Sequence, residues 1–299
     1  MREWESTLTE HSDQLLAYMV AGDTKRQKTL ISKLENQELA ALRRGEERNS
    51  KRKAERVKGS GEILPYRVFS KSGEKAVDYL FVTSFLIRLK KDFYMEEIMQ
   101  KRRATFDGKK LLEDKIISVP YLFENNDSPS RFFSQERRSF QYDRREAIRY
   151  AERWWNDYNP QYEKFTDNCT NFISQCLRAG NAPMRGYPNR SQGWWYQNNN
   201  WSYSWSVAHS MRWYLSGSTQ GLSASEAERA EDLEAGDVIC YDFNGDGRWQ
   251  HTTIVTAKDA NNEPLVNAQT TNSRMRYWAY EDSTAWTPNV KYKFFRIGV

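Results

Sequence analysis

Large side chains near the start of the chain recur at three- and four-residue steps: Trp4, Leu8, His11, Leu15 and Met19, then Leu30, Leu34 and Leu42 after a break at Gly22-Asp23-Thr24. This is the period of an amphipathic helix, and it predicts two helices between Trp4 and Arg48, the second capped by Asp23 or Thr24. The pattern then becomes extended. Ala54–Phe69, Ala76–Leu89, Tyr94–Thr105 and Lys109–Val119 read as strands, with turns at Ser72-Gly73 and Asp107-Gly108. A helix pair followed by an antiparallel meander describes a small α+β domain over residues 1–120, similar in general shape to cystatin- or NTF2-type folds.

Residues 121–140 follow Pro120 and carry Asn125-Asn126-Asp127 and Pro129, the composition of a linker. Beyond them, residues 141–299 read as a second domain. Tyr142–Tyr158 is a predicted helix with Ala147, Tyr150, Ala151 and Trp154 on one face, and Thr166–Ala179 and Val207–Leu215 are two more. After Glu234-Ala235-Gly236-Asp237 the pattern predicts strands at Val238–Phe243, His251–Ala257, Pro264–Thr270 and Tyr292–Ile297. Helices first and an antiparallel sheet afterwards again give an α+β class.

Composition narrows the setting. Hydrophobic residues make up 38% of the 299 positions and charged ones 28%, the balance of a globular chain. The longest apolar run, Tyr79–Ile87, contains Thr83 and Ser84 and falls far short of the ~18–20 residues that cross a bilayer. The opening Met-Arg-Glu-Trp-Glu-Ser places acids where a signal peptide carries its basic region, so the sequence as written predicts a cytoplasmic location without a membrane span. The net charge of +5 is uneven, with basic residues concentrated between Lys25 and Lys58 and between Lys90 and Lys110. Such patches can attract nucleic acid or other anionic polymers. Glu35, Glu38, Glu46 and Glu47 interleave with the first of them, which favours a solvated surface and makes nucleic acid an unexpected partner.

Ten of the eleven tryptophans lie beyond residue 150. Trp194-Trp195-Tyr196, Trp201, Tyr203 and Trp205 flank the polar run Asn198-Asn199-Asn200, and they either roof a core or line a sugar-binding groove.

Three cysteines, with no C-x-x-C pair, argue against a disulfide framework or a zinc ribbon. Cys169 follows the capping cluster Thr166-Asp167-Asn168 and precedes the apolar positions Phe172, Ile173, Cys176 and Leu177. This places its sulfur at the positive end of a helix, where a thiolate is favoured and backbone N–H groups can receive an oxyanion. Cys176, two turns further on, and Cys240, within a strand, read as packing. Among His11, His209 and His251, the last opens a strand beside the turn-rich Asn244-Gly245-Asp246-Gly247, where a base can face a cleft. His209 reads as a helix packing residue. Asp242-x-Asn244-x-Asp246-Gly247 matches the first half of an EF-hand loop, but Thr253 stands where the bidentate Glu belongs. A tight turn is favoured there, so no cofactor is expected and calcium is the one candidate.

Several blocks now line up. Tyr142-Asp143-Arg144-Arg145-Glu146-Ala147 with Tyr150-Ala151, the run from Asp167-Asn168-Cys169 to Cys176-Leu177, and Gly180-Asn181-Ala182-Pro183-Met184 resemble the Putative amidase domain family. Gly236-Asp237-Val238-Ile239, Asp242–Gly247 and Trp249-Gln250-His251-Thr252 continue the resemblance in family order. That family is similar to NlpC-type and CHAP cysteine amidohydrolases, many of which cut peptidoglycan amide bonds. The resemblance implies a papain-like core with a nucleophilic Cys at a helix start, a His on the sheet and a third polar residue orienting the His from the next strand. Cys169 and His251 match the first two positions. Gln269 matches the third, with Asn267 and Asn272 as alternatives because the register is open. An amide oxygen there accepts the imidazole N–H but does not stabilise imidazolium as a carboxylate does. Asn168, Trp194, Trp195, Trp201 and Trp249 are the candidate substrate contacts. The implied reaction is hydrolysis of a peptide or peptidoglycan-type amide through a thioester. The alternatives are a catalytically silent glycan- or peptide-binding module of the same fold, or an anionic-polymer adaptor working through the basic N-terminal half.

Overall fold

The stripe through Trp4, Leu8 and Leu15 folds as helix α1 (Glu3–Ala21) in the computed structural model, which describes residues 3–22, 28–71, 73–117 and 140–298. The expected second helix is two pieces, α2 (Lys28–Ile31) and α3 (Asn36–Arg52). The chain leaves the helical path after Ile31, because Lys33 and Leu34 send their N–H groups to Leu30 and Ile31 as a tight turn. Leu30 and Leu34 are nevertheless both buried. The caps expected at Asp23 or Thr24 lie outside the described residues, as does the linker up to residue 139. Lys53 ends α3 in the left-handed conformation, φ 58°, and the first strand begins at the next residue.

Strands β1 (Ala54–Lys71), β2 (Glu74–Leu89), β3 (Asp92–Asp107) and β4 (Lys110–Ile116) form an antiparallel meander in that order. Phe81, Thr83, Phe85, Ile87 and Leu89 of β2 are buried at alternate positions, the period that the sequence carries. One face of the meander packs Tyr79, Phe81, Ala104 and Phe106 against Trp4, Leu8, Leu15 and Tyr18 of α1. An ionic cluster is also buried there. Arg102 is fully enclosed and donates to Glu38 at 2.6 Å and to Asp114 at 2.7 Å. Asp114 also accepts from the Tyr79 hydroxyl at 2.9 Å and stands 3.0 Å from His11 Nε2. Arg48, Arg56 and Arg103 pair with Asp282, Glu96 and Asp78. Four of the arginines counted along the sequence are therefore matched by carboxylates within this body, to which residues 279–286 belong.

The second body comprises α4 (Arg144–Trp154), α5 (Cys169–Ala179), the short hairpin β5 (Tyr196–Gln197) and β6 (Asn200–Trp201), α6 (Tyr203–Ser206) and α7 (Ala208–Gly217). The strands β7 (Ala224–Ala227), β8 (Val238–Asp242), β9 (His251–Lys258), β10 (Pro264–Ala268), β11 (Asn272–Tyr277) and β12 (Lys291–Ile297) follow. These six are antiparallel neighbours in the order β11-β10-β9-β8-β12-β7. The α+β class read from the sequence holds for the chain. Asp143 caps α4 by accepting the N–H of Glu146, so that helix starts two residues later than its apolar pattern suggests. The sequence reading passed over β7 and β11, which are short and lack a run of β-branched residues. It also passed over the hairpin turn, where Asn198 and Asn199 both have φ 52°, a conformation Asn tolerates. The core packs Ala147, Ala151, Phe172, Ile173, Leu177, Met211 and Leu215 of the helices against Val238, Cys240, Ile254, Phe295 and Ile297 of the sheet.

Candidate active site

Helix α5 begins at Cys169, with Asn168 as its cap residue. Asn168 spends its side chain on neighbours. Its oxygen accepts from the N–H of Phe165 and from Asn171, each at 2.9 Å, and its amide donates to Gln269. The helix-end N–H groups of Asn168 and Cys169 go instead to Thr270 Oγ1, at 3.0 and 3.1 Å. Thr270 in turn donates to Asp167 Oδ1 at 2.8 Å. Thr170 binds Thr252 of β9 at 3.0 Å and so fixes the helix start to the sheet.

Sγ of Cys169 has Asp167 Oδ1 at 3.4 Å, Thr170 Oγ1 at 3.7 Å and the Gln250 carbonyl at 4.0 Å. The residue is 2% exposed. Burial, and after it the Asp167 carboxylate, push the thiol up to about 12. Asp167 is itself raised by burial. The sulfur therefore rests as a thiol.

His251 opens β9 opposite Tyr241 of β8. The N–H of Gln250 also reaches the Tyr241 carbonyl, at 2.8 Å, so two residues face one there, a bulge of the kind that re-aims a side chain. Thr252 faces α5, so strand alternation sends the His251 ring to the other face of the sheet. Its centroid lies 5.5 Å from that of Tyr241 and 6.1 Å from that of Phe243. Among the described residues, the polar groups within reach of Sγ do not include this ring. The thiol nonetheless lies against the backbone on either side of it, near the Gln250 carbonyl and the Thr252 N–H. Val255 sends its N–H to Asp237 beside β8, so Thr252, three residues earlier, points to the opposite edge. That edge belongs to β10, which stops at Ala268, and the thiol continues the edge past its end. Burial, with Arg276 acting in the same direction, pushes the imidazole down to about 3, so it rests neutral.

None of the three candidates for an orienting residue reaches His251. Gln269 donates to the carbonyls of Trp154 at 2.6 Å and Asp157 at 2.8 Å and accepts from Asn168. Asn267 donates to Glu152 and accepts from Thr256 and from the N–H of Met275. Asn272 bonds the Tyr158 hydroxyl. The physical reason is register. Asn267 pairs with Ile254, so positions 267 and 269 share the helix-covered face, while His251 points to the other.

The aromatic candidates separate in the same way. Trp194 and Trp195 are buried, and their ring N–H groups bond Ser174 Oγ and the Asn189 carbonyl. Trp249 is buried against Arg212. Trp201, stacked on Tyr196, keeps a part-exposed face. In the Asp242 loop, the carboxylate accepts the N–H groups of Gly245 and Gly247, each at 2.8 Å, and so closes a turn. Among the described residues, no three His, Cys, Asp or Glu side chains gather as a metal site. Cys176 and Cys240 are buried core residues. Asp167 and Thr270 touch the site and were not singled out from the sequence. Asp167 was visible as the carboxylate two residues before the thiol, whereas nothing in the sequence pointed to Thr270.

Comparison with known proteins bears on this arrangement. Residues 141–295 match the profile of the family described as "Putative amidase domain". The uncharacterized protein YhbB of Bacillus subtilis strain 168 is 44% identical over 299 aligned positions, covering 97% of this chain and 94% of its own. The uncharacterized protein YjcM of the same organism is 30% identical over 134 positions, 42% of this chain and 30% of its own. No solved structure matches. On the family match, and on a relative that spans nearly the whole chain, the protein belongs to the Putative amidase domain family.

Proposed function

We propose that the second body is a cysteine-dependent amidase or peptidase. In this reading Cys169 attacks the carbonyl carbon of an amide while His251 takes the thiol proton. The C–N bond then breaks, His251 returns the proton to the leaving amine, and water hydrolyses the thioester to regenerate the thiol. One observation carries the reading: the thiol stands at the start of α5 against the backbone that flanks His251, inside the stretch that matches an amidase family. The resting imidazole leans toward Tyr241, on the β8 side, whereas the thiol occupies the β10 edge. In the proposed cycle, rotation about the His251 Cα–Cβ bond carries the ring toward the sulfur while the strand stays in place. The proposed substrate is an amide of a peptide stem such as peptidoglycan carries, the chemistry of the amidohydrolases that the sequence resembles.

The test uses muropeptides released from purified cell wall. Wild-type chain is expected to release free amine from them, and Cys169→Ala is expected to abolish the release with unchanged melting. His251→Ala is expected to abolish it with a lowered melting temperature, because the imidazole is buried against Tyr241 and Phe243. Equal turnover by Cys169→Ala would end the proposal. A second reading, a glycan- or peptide-binding module without chemistry, is favoured by the resting state of the pair: thiol and imidazole are both neutral, and the amides of Gln269 and Asn267 are spent on groups other than the imidazole. It predicts saturable muropeptide binding by wild type and by Cys169→Ala alike, with no amine released.

A further inference from the structure

Two N–H groups and one hydroxyl converge beside the nucleophile. Thr270 Oγ1 accepts from Asn168 at 3.0 Å and Cys169 at 3.1 Å and donates to Asp167 at 2.8 Å. A hydroxyl has one proton and two lone pairs, so its capacity is fully used. Two N–H donors about 3 Å from a single oxygen are also what an oxyanion formed on Cys169 needs. The backbone adds an independent point. Thr270 has φ 85°, a region that glycine enters freely and a β-branched residue enters only at a cost. What threonine supplies there, and glycine does not, is the hydroxyl.

Resting on the amidase reading above, we propose that Thr270 is a positioning residue whose hydroxyl holds the place of the substrate's carbonyl oxygen in the idle enzyme. It keeps the N–H groups of Asn168 and Cys169 aimed at one point, and it yields the Cys169 N–H when the carbonyl arrives. No covalent bond changes in this exchange: one acceptor oxygen replaces another. Between turnovers the hydroxyl also denies those N–H groups to the sulfur, which keeps it a thiol held to Asp167.

The experiment compares full-length wild type with Thr270→Ser, Thr270→Val and Thr270→Gly. The rate at which iodoacetamide modifies Cys169 is followed by peptide mass mapping, and kcat and KM are measured on muropeptides. Val and Gly are expected to be alkylated about tenfold faster at neutral pH, because the freed N–H groups can then turn to the thiolate. Their KM is expected to fall by about the same factor, since the competing oxygen is gone. Ser, which keeps the hydroxyl, should match wild type. A merely structural Thr270 would lower kcat and the melting temperature and leave alkylation alone. Gly relieves the backbone and provides the reading if Val misfolds. Wild-type alkylation rates in both Val and Gly, or a raised KM, would overturn the place-holder, even with muropeptide turnover intact. Faster alkylation of the variants in a chain that cleaves no muropeptide would uphold the place-holder at the thiol and remove the amidase reading instead.

Discussion

The thiol of Cys169 donates its hydrogen bond to Asp167, two residues before it in the chain, at 3.4 Å. This pairing favours the protonated sulfur. Burial is the larger cause and the carboxylate charge the next. Asp167→Asn keeps an acceptor oxygen and removes the charge, so the thiol should titrate lower. Iodoacetamide should then modify Cys169 about threefold to tenfold faster near pH 8. An unchanged rate would show that the charge does not govern the sulfur.

His251 links stability to acid. Its ordinary value of 6.5 applies to the unfolded chain, and burial holds the folded value near 3. The folded value is the lower, so the unfolded chain binds the proton first. The contribution is full above about pH 6.5 and is lost as pH falls toward 3. Between about pH 7 and pH 5 the loss should be about 2 kcal/mol. Urea unfolding of wild type and His251→Asn at both pH values isolates it, because other titrating groups cancel in the difference. A pH slope common to both chains would contradict the assignment.

Arg102 is enclosed between Glu38 and Asp114. Arg102→Ala leaves two buried carboxylates without their cation and should cost about 3–5 kcal/mol in urea unfolding of the first body. Arg102→Ala with Glu38→Ala and Asp114→Ala together should cost less than the sum of the single changes, since the three act as one unit.

Gln269 separates two readings of one residue. Its amide donates to two carbonyls and its oxygen accepts from Asn168. Gln269→Glu keeps the acceptor and loses both donors, so it should destabilise the second body by about 1–3 kcal/mol. If Gln269 instead oriented the imidazole, the carboxylate would raise turnover at little cost in stability.

The Asp242 loop gives a ligand prediction. The carboxylate is already engaged by two N–H groups of its own turn. Calcium or a chelator should leave the melting temperature unchanged, while Asp242→Ala should lower it. A rise with millimolar calcium would make the loop a cation site.

The α+β class and most strand positions were legible because burial of one sheet face imposes a period of two, as along β2, and a capping cluster announced the start of α5. What stayed hidden depends on register and on partners distant in sequence. Gln269 and Asn267 could be placed one strand over from His251, but not on the face away from it, because a one-residue slip reverses every side chain. For Trp194 and Trp195 the sequence offers a core roof or a sugar-binding groove, and polar neighbours leave the two undecided. Their burial rests on Ser174 and on the carbonyls of the 189–192 loop, which satisfy the ring N–H groups. Thr270 carried no signal, since its role comes from a left-handed turn meeting a helix end about a hundred residues earlier.

Asp237 joins both ends of the second body. Its carboxylate receives Arg144 from the first turn of α4 at 2.7 Å and the N–H of Ile297 from the last residue of β12 at 3.0 Å, and Arg144 also binds the Ile297 carbonyl. Opening and closing elements thus share a single clasp. Tension applied between residues 144 and 297 would load that carboxylate together with the pairing of Ile297 with Ala224 at the edge of the sheet. Mechanical resistance between those two residues should therefore depend on Asp237 as well as on the sheet, far along the chain from Cys169.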